Sequence, residues 1–191
     1  MKIIQKFMTR NDCYQANEKI VPKGILVHST ASPGIMAEQW YEMWNKSYKA
    51  GETNRQVCVH AFLDDEKVMQ YLPWDHRGWH GGGPVNQTHI GFEICEPAGI
   101  KYNEYGSVIV EYDVEANEAY FRKAFKNAVD LCVMLCKMYN LTEKNIITHC
   151  EGYQMGIASN HADVMHWFPK HGESMDSFRL AVKKELEKES N

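Results

Sequence analysis

The sequence has no apolar run approaching the ~20 residues that cross a bilayer, so membrane insertion is not expected. It has no repeat, no low-complexity stretch and no Pro/Gly/Ser linker to divide it. It also lacks an excess of positive charge. The 21 Lys and Arg stand against 25 Asp and Glu, a net −4, which excludes a general electrostatic grip on nucleic acid. The opening MKIIQKFMTRNDCYQ has too short an apolar stretch for a signal peptide. The chain is therefore expected to be made in the cytoplasm without an export signal. What is present is ordinary globular material. Hydrophobic residues make up 44% and charged residues 24%, which argues against disorder. A chain of 191 residues forms one domain with a substantial core, burying roughly 70% of its unfolded surface. One domain over residues 1–191 is expected, with its core at about 24–179.

Two residue types are plentiful, with six Cys and nine His. Six Cys can build a disulfide framework, but such frameworks belong to small secreted domains. Cys58, Cys95, Cys132 and Cys136 each sit inside apolar runs, as buried thiols do.

The hydrophobic pattern predicts a mixed β-sheet covered by helices on both faces. Gly24–Ser29 (GILVHS) reads as a central strand, apolar on both sides. Residues 36–49 carry Met36, Trp40, Met43, Trp44 and Tyr48 at helical spacing. Residues 57–63 and 67–72 flank an acidic turn as a hairpin. Residues 74–87, rich in Gly, Trp and His, read as a loop. Residues 89–95 (HIGFEIC) and 145–150 (NIITHC) read as strands, 115–139 as a long helix stopped at Asn140, and 152–172 as a loop. Ser174 caps a last helix. Residues 101–114 give no clear pattern.

Chemistry gathers at the strand ends. His28 and His149 each lie near the end of a short apolar strand, where α/β sites collect. If those strands adjoin, the imidazoles converge, and imidazole is a common zinc ligand. Two unrelated strand-end histidines would give the same pattern. In an extended segment His161 and Asp163 face the same way. Asp163 offers a carboxylate oxygen, while His161 can be a ligand, a support or a donor to substrate. His166 is a rival third ligand. Cys150 adjoins His149 but faces away from it if the strand continues. Glu93 alternates away from Phe92 and Ile94. Burial on that opposite face would raise its pKa and suit it to general-base work. Glu96 reads as a strand-end cap. The stretch Trp79-His80-Gly81-Gly82-Gly83-Pro84 lacks the Lys-Ser/Thr of a phosphate loop. Trp79 and His80 suit contact with a sugar or peptide, or a surface turn whose Trp packs on the core. His60 follows an apolar run and is expected to face the same site. Trp40 and Trp44 lie on a helical stripe and read as core.

Together, ILVHSTA, the hairpin from VHAFLDD, WHGGG, NQTHIGFEICE and THCEGYQMGIASNHADVMHWF resemble the zinc-dependent N-acetylmuramoyl-L-alanine amidases of type 2. That family includes amidase-type phage lysozymes and the peptidoglycan recognition proteins. The likeness runs from about Gly24 to Arg179 and is strongest to amidase domains of Gram-positive autolysins and phage endolysins. It implies a central mixed β-sheet flanked by helices, with zinc (Zn2+) in a shallow groove. It places the three ligands on His28, His149 and Asp163, the catalytic glutamate on Glu93 and a basic catalytic residue on His161. Some members have Cys as third ligand, and many have Lys at the position of His161. Where some carry a catalytic Tyr this chain has Val59, so the base role rests on Glu93. The implied substrate is the muramyl peptide stem of bacterial peptidoglycan, cut between N-acetylmuramic acid and L-alanine by a monomer acting at the cell wall. A non-catalytic recognition module on the same fold is the alternative, although such modules typically lose a ligand. A zinc peptidase of another kind is disfavoured by the absence of HExxH.

Overall fold

A computed structural model describes residues 1–188. Its centre is a six-stranded mixed sheet in the order β1-β4-β3-β5-β2-β8. These strands are β1 (Ile3–Gln5), β2 (Gly24–Ser29), β3 (Ala61–Leu63), β4 (Val68–Gln70), β5 (His89–Ile94) and β8 (Ile146–Thr148). Strands β6 (Lys101–Tyr102) and β7 (Ile109–Glu111) form a separate antiparallel pair within the stretch that has no clear sequence pattern. The helices are α1 (Asp12–Ala16), α2 (Trp40–Trp44), α3 (Val114–Tyr139), α4 (His149–Gln154) and α5 (Met175–Lys188).

Period-2 alternation sorts the sheet into two chemically distinct faces. Ile25 and Val27 of β2, Ala61 and Leu63 of β3, and Ile90, Phe92 and Ile94 of β5 form one apolar face. It packs with the buried stripe of α3 and with Phe178 and Val182 of α5. The other face carries Phe62 and Met69, which pack with Trp40 of α2 and Cys13 of α1. This second face also bears His28 and Glu93. All six residues of β2 are buried, as the sequence of a central strand predicts.

Helix α3 begins where the Asp113 carboxylate accepts from the Ala116 amide and ends at Asn140, which takes a left-handed conformation with φ 54°. The hairpin is set by its turn, where the Asp64 carboxylate accepts from the Glu66 and Lys67 amides.

Three expectations are corrected. The helix expected over 36–49 is only a 3-10 turn, Ala37–Gln39, followed by α2. Beyond Trp44, Asn45 accepts from the Arg10 amide and Ser47 donates to Asp12, so polar side chains compete with helical bonding. The strand expected through Cys150 ends at Thr148, and His149 opens α4 instead. The Glu151 carboxylate accepts from the Thr148 amide, a reciprocal cap hidden in T-H-C-E. Residues 152–172 are not wholly loop, since α4 and a 3-10 turn at Phe168–His171 lie in or overlap them.

All six cysteines are free thiols, and five of them are buried. Burial pushes the Cys95 and Cys132 thiols up, which makes them inert. No helix among the described residues is long and apolar enough to cross a membrane.

Candidate metal centre and groove

Strand β2 lies between β5 and β8, both parallel to it. Its register with β5 sets His28 opposite Glu93, and its register with β8 sets Val27 opposite Thr148. His149 follows directly and reaches the same sheet end. The two strands therefore do adjoin, and the histidines converge. Asp163 is brought in by its own backbone. Its carbonyl accepts from the Thr148 hydroxyl and the Cys150 amide, while the Val164 amide donates to that hydroxyl.

The result is a compact triangle of donor atoms. His28 Nδ1 lies 3.0 Å from Asp163 Oδ2 and 3.1 Å from His149 Nδ1, and His149 Nδ1 lies 3.7 Å from Asp163 Oδ2. Four-coordinate ligands about 2.0–2.2 Å from zinc stand roughly 3.3–3.6 Å apart, so the donor set fits that ion in type and spacing. All three residues are buried, and among the described residues they are the one group with clustered metal-ligand atoms. Both histidines present Nδ1 to the centre. Their Nε2 atoms meet supports: His28 Nε2 lies 3.0 Å from His80 Nδ1, and His149 Nε2 lies 3.1 Å from Ser159 Oγ. Such partners hold a ligand ring in place. Burial holds His149 down at about 4 and so keeps it neutral, the ligating form. Burial also opposes charge on His28. The hydrogen bond to Asp163 and the nearby Glu93 outweigh it, and the net shift is upward.

Glu93 is recessed on the same face, and its Oε2 has no hydrogen-bond partner. Burial pushes it up to about 7, with Asp163 adding to the shift and His28 opposing it. An uncommitted carboxylate with a pKa near neutrality beside a metal-type donor set can exchange protons at physiological pH.

These residues line a groove of about 470 Å³. His161 is exposed on its wall, with Nδ1 3.1 Å from Ser159 Oγ and its ring 4.3 Å from that of His149. Trp79 is also on the wall. Trp40 and Trp44 do both jobs, packing on Phe62 and lining the groove. His60 is placed differently from expectation. It is fully buried, its Nε2 donates to the His76 carbonyl and its Nδ1 accepts from the Gly91 amide. It props the strand behind the groove, and burial holds it down at about 4. The rival ligand His166 pairs instead with buried Glu96 and with Tyr102, tying the Asp163 loop to the end of β5. Cys150 stays outside the donor cluster. Ser159 was not singled out from the sequence. Its signal was the alternation Ser159, His161, Asp163 along one extended segment.

The His80 ring lies close against Gly91. A Cβ there would stand 2.4 Å from the ring. Gly91→Ala should therefore cost about 1–3 kcal/mol, the usual penalty of overpacking, measured by urea denaturation. An unchanged midpoint would show that the ring moves freely.

A mixed-sheet α/β protein with a three-donor metal-type centre in an open groove is the class these observations define. A family model described as N-acetylmuramoyl-L-alanine amidase matches residues 17–168, and the chain belongs to that family. A probable N-acetylmuramoyl-L-alanine amidase of Bacillus licheniformis is 27% identical over 151 residues, covering 78% of this chain and 40% of the relative. The N-acetylmuramoyl-L-alanine amidase XlyA of Bacillus subtilis is 28% identical over 152 residues, covering 78% and 43%. This chain therefore spans about two fifths of the length of these curated relatives. Among solved structures, PlyL superposes with a TM-score of 0.65 at 26% identity, covering 96% of this chain and 98% of that one. The Staphylococcus aureus hydrolase AmiA has a TM-score of 0.73 at 19% identity, covering 100% and 85%, a likeness of fold.

Proposed function

We propose that this chain is a zinc-dependent amidase that hydrolyses the bond between the lactyl group of N-acetylmuramic acid and L-alanine in bacterial peptidoglycan. The observation that carries this reading is Glu93, with its unpartnered Oε2, beside the His28–His149–Asp163 donor triangle in a groove of about 470 Å³. Membership of the amidase family supports the choice of bond.

His28, His149 and Asp163 would hold the zinc ion, which supplies Lewis acidity to the reacting carbonyl and to water. Glu93 takes the proton from the attacking water and returns it to the departing L-alanine amine. His161 donates to the oxyanion that develops on the lactyl carbonyl. Trp79 holds the substrate on the groove wall. No covalent enzyme intermediate is required, consistent with six thiols that are buried or outside the donor cluster. The chain acts as one catalytic domain and a monomer, on the cell wall.

Mass spectrometry of a digested soluble muramyl peptide tests the reading. The expected products are the free lactyl acid and a peptide with a new L-alanine amino terminus. Cleavage within the stem, or binding without cleavage, would overturn it. His161→Ala should lower kcat on the order of 10²-fold, the usual effect of losing one oxyanion donor. His161→Lys should restore much of that loss. Steady-state kinetics of both variants check this, and an unchanged kcat for His161→Ala would remove the residue from the mechanism.

A further inference from the structure

The proposed chemistry uses Trp79 of the WHGGG segment and leaves its histidine without a role. The structure turns its histidine inward. His80 Nδ1 lies 3.0 Å from His28 Nε2, with the two rings edge to face at 5.2 Å. The backbone is shaped to receive that ring. A Cβ on Gly91 would stand 2.4 Å from it, and a Cβ on Gly78 would stand 2.5 Å from it. The loop is pinned in turn by Asn86, whose side-chain oxygen accepts from the His80 and Gly81 amides. On its far side the ring meets His60 at 5.7 Å, and its buried Nε2 has no hydrogen-bond partner.

We propose that His80, which also lines the groove, is a positioning residue that fixes the tautomer of His28. This inference rests on the metal-centre reading above. For His28 to offer a lone pair at Nδ1, its proton must sit on Nε2, and a buried N–H needs an acceptor. His80 Nδ1 is that acceptor. It can accept only if the His80 proton is on its own Nε2, the atom found buried without a partner. The two glycines are what allow this ring so close to β5. Partners of this kind typically change metal affinity 10–100-fold when removed.

The test is zinc affinity by chelator competition, on the full chain, for the wild type and two variants. His80→Leu keeps the bulk and removes the acceptor, and it should weaken zinc binding about 10–100-fold. His80→Asn places an amide oxygen near the Nδ1 position and should recover most of the affinity. A folded His80→Leu protein with unchanged zinc affinity would overturn the proposal, as would a rise in KM alone. Should His80→Leu fail to fold, 15N NMR of the zinc-loaded wild type decides instead. The expected result is a His28 ring protonated on Nε2, and protonation on Nδ1 overturns the proposal. A wild type that binds no zinc at all would overturn this inference and the metal reading together. Zinc binding by the wild type that is equal in His80→Leu would sink this inference alone.

Discussion

Glu93→Gln is expected to abolish turnover while leaving the metal centre loaded. Glu93 is not one of the three donors. Its carboxylate lies opposite His28 in the sheet register and carries an uncommitted oxygen. General acid–base groups contribute about 10²–10⁴-fold to rate, so kcat should fall by that factor with zinc stoichiometry unchanged. The same substitution has a second signature in the metal-free protein. Burial pushes Glu93 up to about 7, so the folded state holds its proton more tightly than the unfolded chain does. The raised pKa means that Glu93's stability contribution is fully present below the ordinary carboxylate range. It is lost as pH rises from there through about 7. Glu93→Gln removes that dependence, because the amide has no proton to lose. Metal-stripped Glu93→Gln should therefore exceed the metal-stripped wild type in Tm at pH 8 and match it near pH 4. Thermal unfolding across pH checks this. Equal pH slopes for the two proteins would contradict the burial of the carboxylate. Full retained activity would remove Glu93 from catalysis.

His28→Ala should behave in the opposite way. It removes the donor that lies within about 3 Å of both others. The remaining pair, His149 and Asp163, lacks the third ligand of a catalytic zinc site. Zinc should be lost on gel filtration, and activity should fall to background at any zinc concentration that leaves the substrate soluble. Zinc bound to the folded state alone would raise the stability of the wild type by RT ln(1 + [Zn]/Kd). The Tm increase on adding zinc should therefore vanish in His28→Ala. Elemental analysis and thermal unfolding with and without zinc check both outcomes. A variant that keeps its zinc would displace His28 from the centre.

The contrast between these residues shows how much the sequence made legible. His28 was readable from its place at the end of an apolar strand, and Glu93 because strand alternation turns it away from Phe92 and Ile94. Their apolar neighbours, Val27 and Phe92, reveal the other face. The mixed sheet and α3 were readable from periodicity and from Asn140. Asp163 was less accessible. Its place depends on the Thr148 hydroxyl bridging two loop backbone groups, a contact across fifteen residues that no spacing rule encodes. The switch from β8 into α4 at His149 was hidden because T-H-C-E reads equally as a strand end or a helix cap. His60 was expected in the groove and lies behind it. The sequence shows that its neighbours are apolar but not that the His76 carbonyl and the Gly91 amide occupy both its nitrogens. The β6–β7 pair gave no signal because its strands are two and three residues long.

Metal dependence and the identity of the cleaved bond are tested together by one measurement. Purified peptidoglycan is incubated with protein stripped of metal, and again after one equivalent of zinc is restored. New amino termini and reducing sugars are then counted. L-alanine amino termini are expected only after zinc is restored, with no new reducing sugars in either case. Equal release from the stripped protein, or amino termini other than L-alanine, would contradict the zinc-dependent amidase reading.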